Sequence, residues 1–226
     1  YTLRLLTTQQ RDRLMRMICA SEYIRQKQSM FGKSEFSVGF WVGAQVTANK
    51  LSELTEDSKY RNSDRVIYEY NKIRKQIIEC PCCGNKELYY NFLPNADTKT
   101  IKVGVQIYCR NEECFFKHNH IPVYLIDEEI YRKLPSVVIS TVDKFARLPW
   151  EEKTASLFGR VNRLCEKCGF ISEGEKHQRF HKNPNAMVHQ VKPFYPPELI
   201  IQDELHLITG PLGTIYGGYE TIVEEL

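Results

Sequence analysis

The chain has 226 residues, of which 42% are hydrophobic and 26% charged, as in an ordinary globular protein. No run of about 18 apolar residues occurs, so the sequence predicts no membrane-spanning helix. The net charge of +3 is too small to identify an anionic partner. The chain begins with Tyr1, without an initiator Met or a signal-peptide pattern, so we expect it to be a piece of a longer protein.

The first 33 residues combine a helical pattern with a local excess of positive charge. Thr7 and Thr8 can cap a helix whose apolar positions are Leu14, Met17, Ile18 and Ile24. Residues 1–33 contain seven basic and two acidic side chains. Such a basic face either contacts phosphate groups or is an ordinary solvated helix surface.

Strand and helix patterns alternate along the rest of the chain. The predicted elements are a strand over residues 36–46, a helix over 64–78, two β-like runs over 88–93 and 101–109, a strand over 137–141, a helix over 144–148, a buried strand over 199–202, and a loop leading into a helix over 210–226. Alternation of this kind predicts an α/β fold with a parallel sheet and helices on both faces.

Seven of the eight cysteines fall into clusters, which is typical of metal binding in a reducing compartment. Cys19 lies alone in a helical pattern and is predicted to pack in the core. The first cluster has two cysteine pairs joined by a predicted hairpin, and four thiolates form the tetrahedral shell of structural Zn²⁺. Its predicted ligands are Cys80, Cys83, Cys109 and Cys114. Cys82 can substitute for Cys80, while His118 and His120 are weaker candidates; reduced, buried cysteines are the metal-free alternative.

A second candidate site begins with Cys165 and Cys168, which are followed by Gly169, His177 and His181. These residues match a Cys₂His₂ zinc site, although the interval between Cys168 and His177 is shorter than in zinc fingers. A cysteine pair that shares its metal with another element, and a flexible polar loop, are the alternatives. Neither cluster has an accompanying carboxylate that could activate water, so both predicted zinc sites are structural.

Two adjacent acids follow the predicted strand at residues 199–202. At the carboxyl end of a parallel strand, Asp203 can hold Mg²⁺ and Glu204 can act as the base toward the water that attacks a γ-phosphate. His206 can report the nucleotide state to a neighbouring domain. The alternative is an acidic loop that caps a strand.

The sequence Asp203-Glu204-Leu205-His206 resembles the DEAH-type Walker B motif of superfamily-two helicases. Residues 1–7 and 138–145 resemble the motifs with which these motors contact the nucleic-acid backbone. The phrases YTLRLLT, GFWVG, TVDKFA and QDELHLI occur in the expected order over nearly the whole chain. Together they resemble the helicase of the DISARM antiphage defence systems and its relatives.

This resemblance implies ATP-driven movement along DNA in the bacterial cytoplasm, with Mg²⁺ as cofactor and proteins of a defence complex as partners. The implied contacts to the nucleic-acid backbone are Arg4, Thr7, Thr141 and Lys144. It also implies that residues 1–78, 122–161 and 193–226 form parts of a RecA-like first motor domain. Residues 79–121 are then a zinc-ribbon insertion and residues 162–192 a second Cys/His insertion.

The chain departs from the helicase pattern in one respect. Gly32-Lys33-Ser34 resembles the end of a P-loop, but Lys27 stands where the first Gly belongs, and the segment leads from a helix into a strand. We therefore expect the P-loop to precede residue 1 and the second motor domain to lie elsewhere in the longer protein. The chain alone is then expected not to hydrolyse ATP.

Two other functions compete with a motor. One is a zinc-ribbon module that binds nucleic acid or protein without catalysis, with nearby aromatic residues either stacking on bases or forming the core. Those aromatic residues are Tyr89, Tyr90, Phe92, Phe115 and Phe116. The other is a metal-dependent nuclease, which fits poorly because only Asp203 and Glu204 have the strand-end context that its carboxylates require.

Overall fold

The computed structural model describes residues 2–43, 46–54, 63–94, 102–141, 144, 150–175, 177, 187–201, 217 and 221. The chain divides into two units: Tyr1–Ile130 with Pro135–Ile139, and Tyr131–Leu134 with Ser140–Leu226. Among the described residues, no helix combines the length and the hydropathy needed to span a membrane.

The helices are α1 (Thr2–Lys27), α2 (Ser63–Arg74) and α3 (Asp127–Lys133). The strands are β1 (Val38–Trp41), β2 (Leu88–Pro94), β3 (Lys102–Cys109), β4 (Val123–Tyr124), β5 (Val137–Ser140), β6 (Val161–Cys165), β7 (Gly169–Ser172) and β8 (Val188–Gln190). The strands predicted over 88–93, 101–109 and 137–141 are confirmed. The strand predicted over 36–46 is shorter, and α2 ends before residue 78.

The first unit contains a three-stranded sheet in the order β4-β1-β5, in which β1 and β4 run parallel. All four residues of β1 are buried. A Cβ on Gly39 would lie 2.8 Å from Pro135 Cγ and 3.1 Å from Ile130 Cγ1, so only glycine lets α3 pack this closely. The sheet and helices confirm the predicted α/β class, while the RecA-like topology stays a prediction.

Helix α1 packs against the core through one face. Met15, Ile18 and Cys19 are buried, which confirms the core position predicted for Cys19. Met17 and Ile24, which were predicted on the apolar face, are exposed. The helix has basic and apolar residues around much of its circumference, so sequence periodicity did not identify the buried stripe.

The predicted start of α1 is wrong. Thr7 and Thr8 were expected to cap the helix, but α1 begins at Thr2 and both residues lie within it. Thr is tolerated within helices when flanking residues favour helix, as Leu5, Leu6 and Gln9 do here. A capping signal therefore does not by itself fix where a helix begins.

The buried Glu22 carboxylate connects α1 to the chain that enters β1. It accepts hydrogen bonds from Arg25 Nε at 2.7 Å, from Gln26 Nε2 at 2.8 Å and from the Phe36 amide at 2.9 Å. Burial alone would raise the pKa of Glu22, but these donors outweigh it and leave the pKa lowered. The acid thus remains ionised while fixing the turn between helix and strand.

Strands β2 and β3 form an antiparallel hairpin that shares the core of the first unit. Val105 and Ile107 of β3 are buried in the same hydrophobic cluster as Ile73 of α2. Phe92 stacks on Tyr70 with ring centroids 4.0 Å apart. The hairpin is therefore packed against the α/β part of its unit through one face.

The prediction of a buried strand at 199–202 is wrong for the three residues that the structure describes. Residues 199–201 have no strand conformation, and Leu199 and Ile201 are 74% and 80% exposed. Pro196 and Pro197 lie just before this segment, separated from it by Glu198, and they lack the amide hydrogens with which a strand extended through them would pair. Gln202 lies outside the described residues.

Candidate metal centres

Four cysteines of the first unit converge at the base of the β2–β3 hairpin. They are Cys80, Cys83, Cys109 and Cys114, and their sulfurs all lie within 4.8 Å of one another. The Sγ atoms of Cys80 and Cys114 are 3.8 Å apart, and those of Cys83 and Cys109 are 3.5 Å apart. A tetrahedral Zn²⁺ with Zn–S bonds of about 2.3 Å places its sulfurs roughly 3.8 Å apart. A disulfide needs about 2.05 Å, so this geometry suits a metal and not a cross-link.

Backbone turns direct amide hydrogens at these sulfurs. The Gly84 amide donates to the Cys80 carbonyl at 2.8 Å and closes the first turn, with Gly84 in the left-handed region at φ 75°. The Asn111 amide approaches Cys109 Sγ at 3.4 Å. An amide–sulfur contact of this kind stabilises a thiolate, so the Asn111 amide would belong to the outer shell of a metal held here. Asn111 was not predicted from the sequence, although its position two residues after a ligand cysteine is a usable signal.

The cysteines of this group differ in their readiness to ionise. Burial raises the pKa of Cys80 to about 12, although amide hydrogen bonds from Cys83 and Cys82 oppose it. Burial also acts to raise the pKa of Cys83, but the Asn85 amide and the neighbouring thiols outweigh it and lower that pKa to about 7. One thiolate is therefore accessible near neutral pH, whereas full ionisation of the group requires a nearby cation.

The structure separates the alternatives left open for this cluster. Cys80 belongs to the four-sulfur group, whereas Cys82 is exposed and lies outside it. His120 Nε2 lies 2.7 Å from Glu35 Oε1 and is outside the group, as is His118. The four cysteines named first are therefore the ones that come together.

The second unit brings together Cys165, Cys168 and His177, whose potential ligand atoms lie within 4.8 Å of one another. Both cysteines are buried, and the Cys168 amide approaches Cys165 Sγ at 3.5 Å. Their turn joins β6 to β7, and β8 pairs with the other edge of β6. Two thiolates and an imidazole suit zinc. His181, the predicted fourth ligand, lies outside the described residues.

Gly169 shapes the turn of this second group. It adopts φ 91°, and a Cβ at this position would lie 2.5 Å from the Arg132 carbonyl oxygen. Gly84, at the equivalent place after Cys83, has nothing within 4 Å of its would-be Cβ. Both turns follow the Cys-x-x-Cys-Gly pattern, but only the second also needs glycine for space.

Of the predicted contacts to the nucleic-acid backbone, Arg4 and Thr7 occupy helical positions in α1. Thr141 Oγ1 is buried, and the Thr141 carbonyl accepts a hydrogen bond from the Lys144 amide at 2.9 Å. Lys144 is buried, with 5% of it exposed. The contacts of all four residues with nucleic acid stay predictions.

The predicted nucleotide site, Asp203, Glu204 and His206, lies outside the described residues. Gly32, Lys33 and Ser34 lie between the end of α1 and the start of β1. This helix-to-strand order is the reverse of the strand-to-helix order of a P-loop.

No protein-family model matches the chain. The chain is 75% identical, over all 226 of its residues, to the DISARM protein DrmA of Bacillus paralicheniformis. It spans 20% of the length of that protein. The predicted resemblance to a DISARM protein is therefore confirmed.

Proposed function

We propose that this chain, as a relative of the DISARM protein DrmA, forms part of the first motor domain of an ATP-dependent helicase or translocase acting in bacterial antiphage defence. The observation that carries the proposal is the 75% identity extending over every residue of the chain. The region aligned with DrmA covers the whole chain, so it includes the segments that resemble helicase motifs. The P-loop and the second motor domain then belong to other parts of the longer protein.

In this proposal Asp203 holds Mg²⁺ of the bound ATP, Glu204 acts as the base, and His206 couples the nucleotide state to movement. The nucleic-acid backbone, DNA in a phage-defence setting, is contacted by Arg4, Thr7, Thr141 and Lys144. Contacts with phosphates are independent of sequence and weaken as salt rises. The motor works in the cytoplasm together with other proteins of the defence complex.

The proposal assigns a structural role to two zinc ions. One is held by Cys80, Cys83, Cys109 and Cys114, and the other by Cys165, Cys168, His177 and His181. Support for the first is the spacing of its four sulfurs, and support for the second is the convergence of three of its ligands. Zinc in such closed sites fixes loops and leaves no position for substrate.

The motor is tested with Glu204→Gln in the full-length protein. Removing the base should lower ATP turnover by about 10²-fold or more while DNA binding is retained. Glu198→Gln is the matched control, because Glu198 is an exposed acid shortly before the proposed site. If Glu204→Gln left the ATP turnover of the full-length protein unchanged, the proposed motor function would be contradicted.

The four-cysteine group favours a second candidate, a zinc-ribbon module that binds nucleic acid or protein without catalysis. Its four ligands come together with sulfur spacings that suit a structural metal. In that case the full-length protein would show no ATP turnover assignable to Glu204. Loss of binding on removal of zinc, with ATP turnover unchanged, would favour this candidate.

A further inference from the structure

The outer face of the β2–β3 hairpin carries features that the motor does not use. We call the hairpin with its two cysteine turns, residues 80–94 and 102–114, the ribbon. Its inner face is committed to the core: Val105 and Ile107 are buried, and Tyr90 donates a hydrogen bond to the Ile77 carbonyl at 2.7 Å. Because side chains alternate along a strand, the residues between these point to the opposite face.

On that outer face, Tyr89 and Tyr108 are direct cross-strand partners. Their ring centroids are 6.4 Å apart with an interplanar angle of 34°, and Tyr89 is 47% exposed. The next pair on the same face is Asn91 with Gln106, and Tyr108 donates a hydrogen bond to Gln106 Oε1 at 2.9 Å. Two aromatic rings and two amides therefore form a continuous strip.

A cation borders this strip. The Arg110 guanidinium carbon lies 5.4 Å from the centroid of the Tyr89 ring, and Arg110 is exposed. Within the described part of the chain, no carboxylate oxygen lies within 4.0 Å of its guanidinium nitrogens. Glu87, an exposed acid just before β2, accepts a hydrogen bond from the Arg110 amide through its backbone carbonyl at 3.0 Å.

We propose that the outer face of the ribbon binds single-stranded nucleic acid, with bases stacked on Tyr89 and Tyr108 and a phosphate held by Arg110. An exposed ring such as Tyr89, with the half-buried Tyr108 beside it, can stack on the flat face of any base, and an arginine with no acidic partner among the described residues retains its affinity for phosphate. Asn91 and Gln106 offer both donors and acceptors to base edges. A nucleotide strand combines flat rings with repeating anions, which is the combination this face complements.

The outer face of the ribbon ends near the end of the strands that is farther from the cysteines. At the pair Leu93–Gly104, a Cβ on Gly104 would lie 2.6 Å from Glu129 Oε1. The same carboxylate oxygen accepts a hydrogen bond from the Val105 amide at 2.9 Å. Gly104 is buried beneath this side chain, so the bound strand lies at the cysteine end of the ribbon, beside Tyr89 and Arg110.

Binding is measured by fluorescence anisotropy of a labelled oligodeoxythymidylate, using zinc-loaded full-length protein without ATP. Tyr89→Ala should weaken binding about tenfold, because one stacking partner is lost. Tyr89→Phe should bind as wild type does, since it keeps the ring. Arg110→Gln should reduce the slope of log affinity against log salt by about one, because one phosphate contact is lost.

Tyr68→Ala is the matched control. Tyr68 is 59% exposed and has Lys72 Nζ 5.3 Å from its ring centroid, but Lys72 is paired with Glu69 Oε2 at 2.6 Å. The Tyr68→Ala variant should therefore bind the oligonucleotide as tightly as the wild-type protein does. Equal losses in Tyr68→Ala and Tyr89→Ala would overturn the proposal, as would wild-type affinity in Tyr89→Ala. The assay needs no ATP turnover, so a failure of the proposed motor leaves its outcome unaffected.

Discussion

The two cysteine groups have similar turns but very different surroundings. Cys80, Cys109 and Cys114 belong to the large hydrophobic cluster of the first unit. Among the described residues of the second unit, the cluster that contains the cysteines consists of Cys165, Cys168 and Ile171. The same Cys-x-x-Cys-Gly turn thus joins an extensive core in the first unit and, as far as the described residues go, a three-residue cluster in the second.

This difference determines what a metal contributes in each place. Small regions bury too little apolar surface to offset the conformational entropy of ordering the chain. We therefore expect a bound metal to be needed for the second hairpin to fold, whereas in the first group it would add a cross-link to strands already held by Ile107 and its neighbours. We expect the two regions to respond unequally when the metal or its ligands are removed.

The largest expected effect comes from removing the metal with a chelator. Amide hydrogens of β6 and β7 should lose their protection from exchange, because the metal is the main stabilising element there. Amides of β1 and the buried face of α1 should stay protected. Hydrogen exchange followed by mass spectrometry, with and without added Zn²⁺, measures both regions in one sample. If the amides of β6 and β7 kept their protection after chelation, the expected difference in metal dependence between the two regions would be contradicted.

A smaller effect is expected from a single ligand substitution in the first group. Cys109→Ser should remove one zinc per chain and lower the free energy of unfolding by on the order of 3–5 kcal/mol, as for the loss of a structural metal. Cys82→Ser is the control, because Cys82 is exposed and outside the four-sulfur group. Metal analysis and urea unfolding check both variants. Loss of zinc from Cys82→Ser would reassign the ligands.

The smallest effects compare the two turn glycines. Gly84→Ala should cost about 1–2 kcal/mol, since only the left-handed backbone opposes the methyl group. Gly169→Ala should cost more, because its Cβ would also lie 2.5 Å from the Arg132 carbonyl oxygen. Urea unfolding of each variant, followed by a probe in its own unit, gives the two values. Equal costs would mean that the backbone near Arg132 moves aside easily.

Much of the first metal centre was predictable because its determinants are local. The spacing of Cys80 and Cys83 defines a turn, and the hairpin register brings Cys109 alongside them. The chain also contains a competitor, Cys82, and only the folded turn shows which sulfur points inward. Ligand spacing thus predicted the site, while the choice between adjacent cysteines required three-dimensional structure.

Other features were not predictable because they depend on distant partners. Glu22 reads as a solvated helix residue, yet it is buried and accepts a hydrogen bond from the Phe36 amide, fourteen positions along the chain. The apolar run at residues 199–201 reads as a buried strand, but no described strand pairs with it. Apolar character indicates that a segment favours burial, and pairing decides whether a strand forms.

The position of Cys82 has a practical consequence for spectroscopy. Its thiol is exposed, whereas Cys19 is buried and the other six cysteines lie in the two candidate metal groups. In zinc-loaded protein a maleimide fluorophore should therefore label this one position. Such a dye would sit at the cysteine end of the ribbon and would report distances to a labelled oligonucleotide in solution.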